Sequence, residues 1–226
     1  VLIHSKVNIL CGNFGSGKTE ISLNLCIKKA KENCKVTLVD LDIVNPFFRS
    51  REKQHLLDKY GIKIISSSIK HPHADLPALS PAIISPLQHE NDYVFFDVGG
   101  DEIGANVLGR YRNFFKHLHY SFFFVINCRR PRTSKAEDIQ KLIEHIEAKS
   151  GLKITGLINN TNLGTETKIM DILDGYDIIA EVSKNTNIPI SFHTVKENLS
   201  EKKELYKVLK EPVFPIKLLM RYPWEE

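Results

Sequence analysis

The sequence is poor in the residues that would tie a fold together covalently or cage a metal. Its 226 residues include four cysteines, Cys11, Cys26, Cys34 and Cys128, with no C-x-x-C pair among them, which argues against a disulfide framework and a thiolate metal site. Such usage predicts a reducing, cytoplasmic setting. Long hydrophobic runs are missing too: the most apolar stretch, Tyr120 to Asn127, is far short of the roughly 20 residues that cross a bilayer, so no membrane span is expected. No signal peptide is expected, and Val1 stands where a methionine would begin the chain, which predicts a trimmed N-terminus. Charge of one sign is also lacking. The 31 basic and 27 acidic side chains give a net charge of +4 without a long run of either sign, so a DNA partner is not expected and an anionic small ligand is compatible. No repeat or low-complexity tract stands out, and a chain that is 42% hydrophobic is long enough to bury one well-formed core. A single domain over residues 1–226 is expected.

What the sequence does have is a glycine loop. Gly12-Asn13-Phe14-Gly15-Ser16-Gly17-Lys18-Thr19 fits the pattern G-x-x-x-x-G-K-[ST], between the apolar run Val7 to Leu10 and a segment whose Ile21, Leu23, Leu25, Cys26 and Ala30 form a helical apolar stripe. The glycines let successive backbone N–H groups converge on a phosphate, Lys18 reaches the outer phosphates, and the Thr19 hydroxyl is placed to bind Mg²⁺. Residues Gly12 to Thr19, with Glu20 at the start of the helix, are the expected nucleotide-binding set.

Apolar, β-rich runs recur at residues 36–39, 62–65, 93–96, 122–126, 154–158 and 188–192, with helical patterns between most of them. Continuous rather than alternating hydrophobicity is what a sheet covered on both faces requires. The expected fold is therefore a three-layer, doubly wound α/β sheet of about seven mostly parallel strands with helices on both faces. Ligands in such sheets sit beyond the carboxyl ends of the strands, and Asp40, Asp97, Asn127 and Asn159 all fall at such ends. Residues 66–91, with Pro72, Pro77, Pro81 and Pro86, break the rhythm and predict a long ordered loop with short helical turns, suited to a partner surface or to packing on the sheet edge.

Asp40 and Asp42 close the second strand run two residues apart, so in extended chain both face one side. One is placed to hold the metal's water shell and the other to orient an attacking water. Asp97 ends another run and leads into Gly99-Gly100, the pattern of a metal-binding aspartate followed by backbone that approaches a terminal phosphate. A guanine site of the N-K-x-D type needs an aspartate that is absent both from Asn127-Cys128-Arg129-Arg130 and from Asn159-Asn160-Thr161-Asn162, which favours adenine. The pairs His71/His73 and His117/His119 have no third ligand at metal spacing and are read as structural.

These residues together resemble the MinD, ParA and CobQ-type ATPases of the SIMIBI class of P-loop proteins. The resemblance rests on Gly12 to Thr19, Asp40-Leu41-Asp42, Asp97 to Gly100, the loop from Asn127 to Ser134, and Asn159-Asn160, and it reaches to about residue 195. It implies that Lys18 binds phosphate, Thr19, Asp40 and Asp97 serve the metal, Asp42 positions water, Gly99 assists at the phosphate, and Asn159 or Asn160 reads the base. It also implies an ATP- and Mg²⁺-dependent homodimer that switches a protein partner. The chain departs from that pattern at Asn13, where many relatives carry a lysine that crosses to the partner's nucleotide, and at Phe14, where glycine is usual. Arg49, Arg51, Arg129, Arg130 and Arg132 are candidate replacements for that charge. Alternatives are a small-molecule kinase or ATP-dependent ligase, and an ATPase for metalloenzyme maturation.

Overall fold

In the computed structural model, residues 3–42, 51–66, 81–88, 92–100 and 102–219 are described. The strands are β1 (Val7–Gly12), β2 (Val36–Asp40), β3 (Lys63–Ser66), β4 (Tyr93–Gly99), β5 (Tyr120–Ile126), β6 (Gly156–Asn159), β7 (Ile190–Lys196) and β8 (Val213–Ile216). The helices are α1 (Lys18–Lys31), α2 (Arg51–Lys59), α3 (Pro81–Ile84), α4 (Glu102–Arg110), α5 (Arg112–Phe115), α6 (Ala136–Ser150), α7 (Ile169–Thr186), α8 (Glu197–Ser200) and α9 (Lys203–Val208). Among the described residues, all eight strands join one sheet in the order β3-β2-β4-β1-β5-β6-β7-β8, and every pairing is parallel.

The expected sheet of about seven strands gains β8. Its sequence Val213-Phe214-Pro215-Ile216 is short and carries a proline, which an edge strand tolerates because its outer N–H groups need no ladder partner. Strand β7 pairs with it on one side only. The expected boundaries also shift: β6 begins at Gly156 and β7 runs on to Lys196.

Burial on both faces explains the continuous apolar runs. In β1, Ile9 and Cys11 belong to one core cluster, with Val39, Phe96, Phe124 and residues of α4 and α6. Leu10 belongs to the other, with Leu38, Phe95, Phe123, Phe192 and the α1 residues Ile21 and Leu25. Phe95 and Phe122 are fully buried, so truncating either to alanine costs about 3–5 kcal/mol of stability. Edge-on aromatic contacts, Phe96 against Phe115 at 5.3 Å and Phe123 against Phe192 at 5.9 Å, fix the packing on each side.

This topology places the glycine loop. The chain leaves β1 in one direction to build β2, β3 and β4, then crosses back to build β5 through β8. β1 therefore lies between β4 and β5 at the point where the winding reverses, the position at which open α/β sheets form their ligand crevice. Of residues 66–91, positions 67–80 and 89–91, with His71, Pro72, His73 and Pro77, lie outside the described residues. The described part holds the short helix α3 and a 3₁₀ turn, Ser85–Gln88.

Candidate functional site

Residues 13–17 join fully buried β1 to α1. Gly15 and Gly17 have φ of +75° and +84°, left-handed conformations that a side chain would strain, on either side of Ser16. The turn is closed by the Ser16 N–H donating to the Asn13 carbonyl at 2.9 Å. This backbone curls N–H groups toward one concavity. Helix α1 starts directly from Gly17 with no side-chain cap, leaving its N-terminal N–H groups and their partial positive charge available to an anion. Gly100 backs the loop so closely that a Cβ there would collide with the Gly12 carbonyl. The strand ends β1 and β4 thus meet at the phosphate loop.

Four of the expected polar side chains converge here in pairs. Lys18 Nζ contacts Asp42 Oδ2 at 2.8 Å, with both side chains nearly buried. Thr19 Oγ1 donates to Asp97 Oδ2 at 2.6 Å. Asp40 sits beside Asp97 in the β2–β4 register, and its Oδ1 accepts the Asp42 backbone N–H at 3.0 Å. The second Asp97 oxygen, Oδ1, is buried without a hydrogen-bond partner. An orphaned carboxylate oxygen beside a threonine hydroxyl and a second carboxylate is a hard oxygen donor set of the kind Mg²⁺ takes when phosphate supplies the remaining ligands. Among the described residues no three His, Cys, Asp or Glu side chains form a metal site by themselves.

Burial and neighbouring negative charge raise Asp40 and Asp97. Burial first, then the neighbouring Asp97, pushes Asp40 up to about 7. Burial pushes Asp97 up to about 6, against the opposing pull of Lys18 and the Thr19 hydroxyl. For Lys18, burial favours the neutral amine but the carboxylates of Asp97 and Asp42 outweigh it, and its pKa rises. A carboxyl that holds its proton more tightly folded than unfolded stabilises the fold at low pH and loses that contribution as pH rises through its folded value. The ligand-free protein is therefore expected to be more stable at pH 5 than at pH 8, with the loss concentrated below about 7. Asp40→Asn should raise the thermal midpoint at pH 8 by several degrees and flatten the profile, because each tenfold excess in the proton affinity of the folded carboxyl corresponds to about 1.4 kcal/mol. A midpoint-against-pH curve parallel to wild type would contradict this electrostatic origin.

At the ends of β5 and β6 the asparagines brace the loop. Asn160 Nδ2 donates to the Ser16 carbonyl at 2.6 Å, while its Oδ1 accepts from Thr194 Oγ1 at 2.5 Å. A Cβ on Gly17 would strike the same Nδ2, so glycine is required there twice over. Asn127 Oδ1 accepts the N–H groups of Arg129 and Asn162, at 3.0 and 3.2 Å, and its Nδ2 donates to the Asn162 carbonyl at 3.1 Å. Asn159 is fully buried; its Nδ2 lies 3.2 Å from the Ile172 carbonyl and 3.3 Å from His193 Nδ1, and its Oδ1 accepts the Thr161 N–H. Of the two asparagines expected at a base, Asn160 is the one joined to the loop. Asn160→Ala would leave the buried Ser16 carbonyl and Thr194 hydroxyl without these partners, at about 1–3 kcal/mol. Chemical denaturation is expected to show that loss together with weaker ligand binding; unchanged stability would remove the bracing role.

Glu20, grouped with the nucleotide set from its position, gives a carboxylate oxygen to the Leu219 N–H at 2.6 Å, and Asn24 exchanges two hydrogen bonds with the backbone of Lys217. Together they fasten the exit of β8 to α1. The candidate arginines separate cleanly. Arg129 is held by Asp171 and Asp174 at 2.8 and 2.6 Å. Arg130 Nε donates to the Gly15 carbonyl at 3.2 Å. Arg132 is exposed on a 3₁₀ turn, Arg49 lies outside the described residues, and Arg51 is described only as backbone at the start of α2. His119 Nδ1 lies 2.9 Å from Ser5 Oγ, a structural partner. Sequence reasoning missed Thr194, which lies inside β7 (Ile190–Lys196) rather than at its end, where the strand-end logic that found Asn159 looks.

Against known proteins, residues 9–196 match the family model described as the CobQ/CobB/MinD/ParA nucleotide binding domain. No curated protein is similar enough in sequence to count as a relative. Among solved structures, FlhF complexed with GTP and Mg²⁺ matches with a TM-score of 0.56 at 19% identity, over 88% of this chain and 69% of that one. The cell division protein FtsY of Thermotoga maritima matches with a TM-score of 0.57 at 20% identity, over 84% and 62%. Chloroplast FtsY of Physcomitrella patens matches with a TM-score of 0.54 at 19% identity, over 87% and 61%. The chain spans about three fifths of the FtsY chains, and at these identities the likeness is one of fold.

Proposed function

The chain belongs to the CobQ/CobB/MinD/ParA nucleotide-binding domain family, and from that premise we propose that it is a Mg²⁺-dependent ATPase of the cytoplasm. In this reading the nucleotide state controls a homodimer and, through it, a protein partner. The observation that carries the reading is the pairing of Lys18 with Asp42 and of Thr19 with Asp97 at the mouth of the loop.

The residues divide the work of β–γ bond hydrolysis. Loop N–H groups and the α1 N-terminus hold the phosphates. Without nucleotide, Lys18 neutralises Asp42; a bound γ-phosphate competes for the ammonium and draws it away, which frees the Asp42 carboxylate to accept a proton of the attacking water and aim its lone pair. Lys18 then stabilises negative charge as it develops on the phosphoryl oxygens. Thr19, Asp97 and Asp40 would hold Mg²⁺, which when bound neutralises charge on the β- and γ-phosphates. The Gly99–Gly100 backbone closes the phosphate side of the site.

Adenine is favoured because Asn162, where a guanine site needs aspartate, donates through Nδ2 to the Asn160 carbonyl and accepts the Gly164 N–H. An amide in that role offers no carboxylate for the paired donors of guanine. FlhF, with GTP in its site, makes GTP the competitor to test. Phosphate release should be measured with ATP and with GTP, each with and without a panel of small metabolites. ATP-specific release that needs no acceptor supports the proposal. A GTP preference overturns the base assignment, and strong acceptor dependence in a persistent monomer overturns the switch in favour of a kinase.

A further inference from the structure

His193 takes no part in the chemistry proposed above, yet it is fully buried and is the chain neighbour of Thr194, which holds Asn160. It lies inside β7, opposite Asn159 in the β6–β7 register. A buried imidazole needs a partner for each nitrogen. Nε2 lies 3.1 Å from Oε2 of Glu211, just before β8, and Nδ1 lies 3.3 Å from Asn159 Nδ2. From α7, Tyr176 meets the ring edge-on at 5.3 Å. Glu211 and Tyr176 are thus the titratable groups that face it, and the Tyr176 hydroxyl in turn feels the charges of Glu211 and Asp177.

The contacts fix where the ring carries its proton. Asn159 is oriented by backbone: its Oδ1 accepts the Thr161 N–H at 3.0 Å and its Nδ2 donates to the Ile172 carbonyl at 3.2 Å. Neither backbone group can reverse its role. The amide therefore presents an N–H to Nδ1, which must be bare to accept it, and the single ring proton sits on Nε2 and donates to Glu211. Burial holds the ring below its ordinary pKa, against the opposing pull of Glu211, in keeping with a neutral imidazole. A second proton could go only to Nδ1. It would set two donors face to face, and turning the amide to offer its oxygen would set Nδ2 against the Thr161 N–H and Oδ1 against the Ile172 carbonyl. In either arrangement a contact of Asn159 is lost.

The exit of β6 that Asn159 anchors holds the phosphate loop. Thr194 Oγ1 donates to Asn160 Oδ1, Asn160 Nδ2 donates to the Ser16 carbonyl, and Thr161 Oγ1 accepts the Cys128 N–H beyond β5. We propose that His193 is a proton-sensitive positioning residue of the nucleotide site: with Nδ1 bare it fixes the β6 exit and the Asn160 brace, and a second ring proton loosens the loop and lowers nucleotide affinity in acid. This rests on the nucleotide reading above. The ring acts through Asn159 and Asn160 and touches no ligand itself.

The test compares wild type, His193→Asn and His193→Gln for binding of a fluorescent, slowly hydrolysed ATP analogue with Mg²⁺ between pH 8 and pH 5.5. Asp40, Asp97 and the phosphates titrate in all three samples, so ratios of affinity isolate position 193. His193→Asn offers Oδ1 where Nδ1 stood, and is expected to bind within about twofold of wild type at pH 8 and at least about threefold more tightly than wild type at pH 5.5. His193→Gln reaches toward Glu211 but offers Asn159 no acceptor, and should bind about two- to tenfold more weakly at pH 8, the scale of one neutral hydrogen bond. Ratios that do not change with pH would overturn the proton sensitivity, and full affinity in His193→Gln would overturn the positioning role. In wild type, two-bond ¹H–¹⁵N correlations of the ring, identified by their absence from His193→Asn, should show a bare Nδ1 and a protonated Nε2 at pH 8; a proton on Nδ1 there would overturn the assignment without reference to nucleotide. A wild-type chain with the expected ring state that binds neither ATP nor GTP would remove the nucleotide reading itself, so the two failures are distinguishable.

Discussion

Lys18→Ala is expected to weaken nucleotide binding by at least about 100-fold and to abolish turnover, since charged contacts to phosphate are each worth roughly 1.5–3 kcal/mol and this one also acts in the transition state. Lys18 is the first residue of α1, its side chain is nearly buried, and it is aimed by Asp42 at 2.8 Å. Removing it also leaves Asp40 and Asp97 without the cation that opposes their upward shift. Both carboxyls are then pushed further toward protonation, so some stability is expected to be lost at pH 8 and less at pH 5. Calorimetric titration with Mg²⁺ and nucleotide, on protein shown to be folded by circular dichroism, separates the two effects. Affinity within about threefold of wild type in folded Lys18→Ala would contradict the placement of phosphate in this loop.

Asp42→Ala should show the opposite division, with binding kept and hydrolysis lost. The carboxylate competes with phosphate for Lys18, so its removal is expected to leave triphosphate affinity unchanged or higher. Without the group that orients the attacking water, single-turnover phosphate release should fall about 10²- to 10⁴-fold, the range for loss of a positioned acid–base group. Asp40 and Asp97 are poorly placed to substitute. Asp97 already accepts from Thr19, and Asp40 accepts the Asp42 backbone N–H. Normal turnover in Asp42→Ala would remove its assigned role. Loss of binding and turnover together would mean that Asp42 is needed to build the site rather than to run the reaction.

Much of this site was legible because it is encoded locally. The loop needs glycines at 15 and 17 for left-handed turns and a lysine and threonine at the helix start, and all lie within eight residues. Asp40 and Asp42 could be read at a strand end because the apolar run before them marks a buried parallel strand, whose carboxyl end defines the crevice; Asp97 was read the same way, but β4 runs two residues further, to Gly99. Less legible were features that depend on partners far away in sequence. Whether an arginine is spent or available turns on Asp171 and Asp174 for Arg129 and on Gly15 for Arg130. Position groups Glu20 with the loop but does not reveal that its carboxylate also accepts the Leu219 N–H, near the far end of the chain. Asn159 and Asn160 are adjacent, but the strand alternation sends one toward Ile172 and His193 and the other under Ser16. β8 escaped notice for a local reason, since Pro215 reads as a breaker until the strand is known to lie at an edge.

The central claim, that the bound nucleotide sets the state of assembly, is tested most directly by the mass of the protein in solution. Light scattering should be recorded with Mg²⁺ and ADP, and again with Mg²⁺ and a slowly hydrolysed ATP analogue. The account predicts the 25.8 kDa monomer with ADP and a doubling of mass with the analogue. A monomer under both conditions, at nucleotide concentrations that saturate the site, would contradict it.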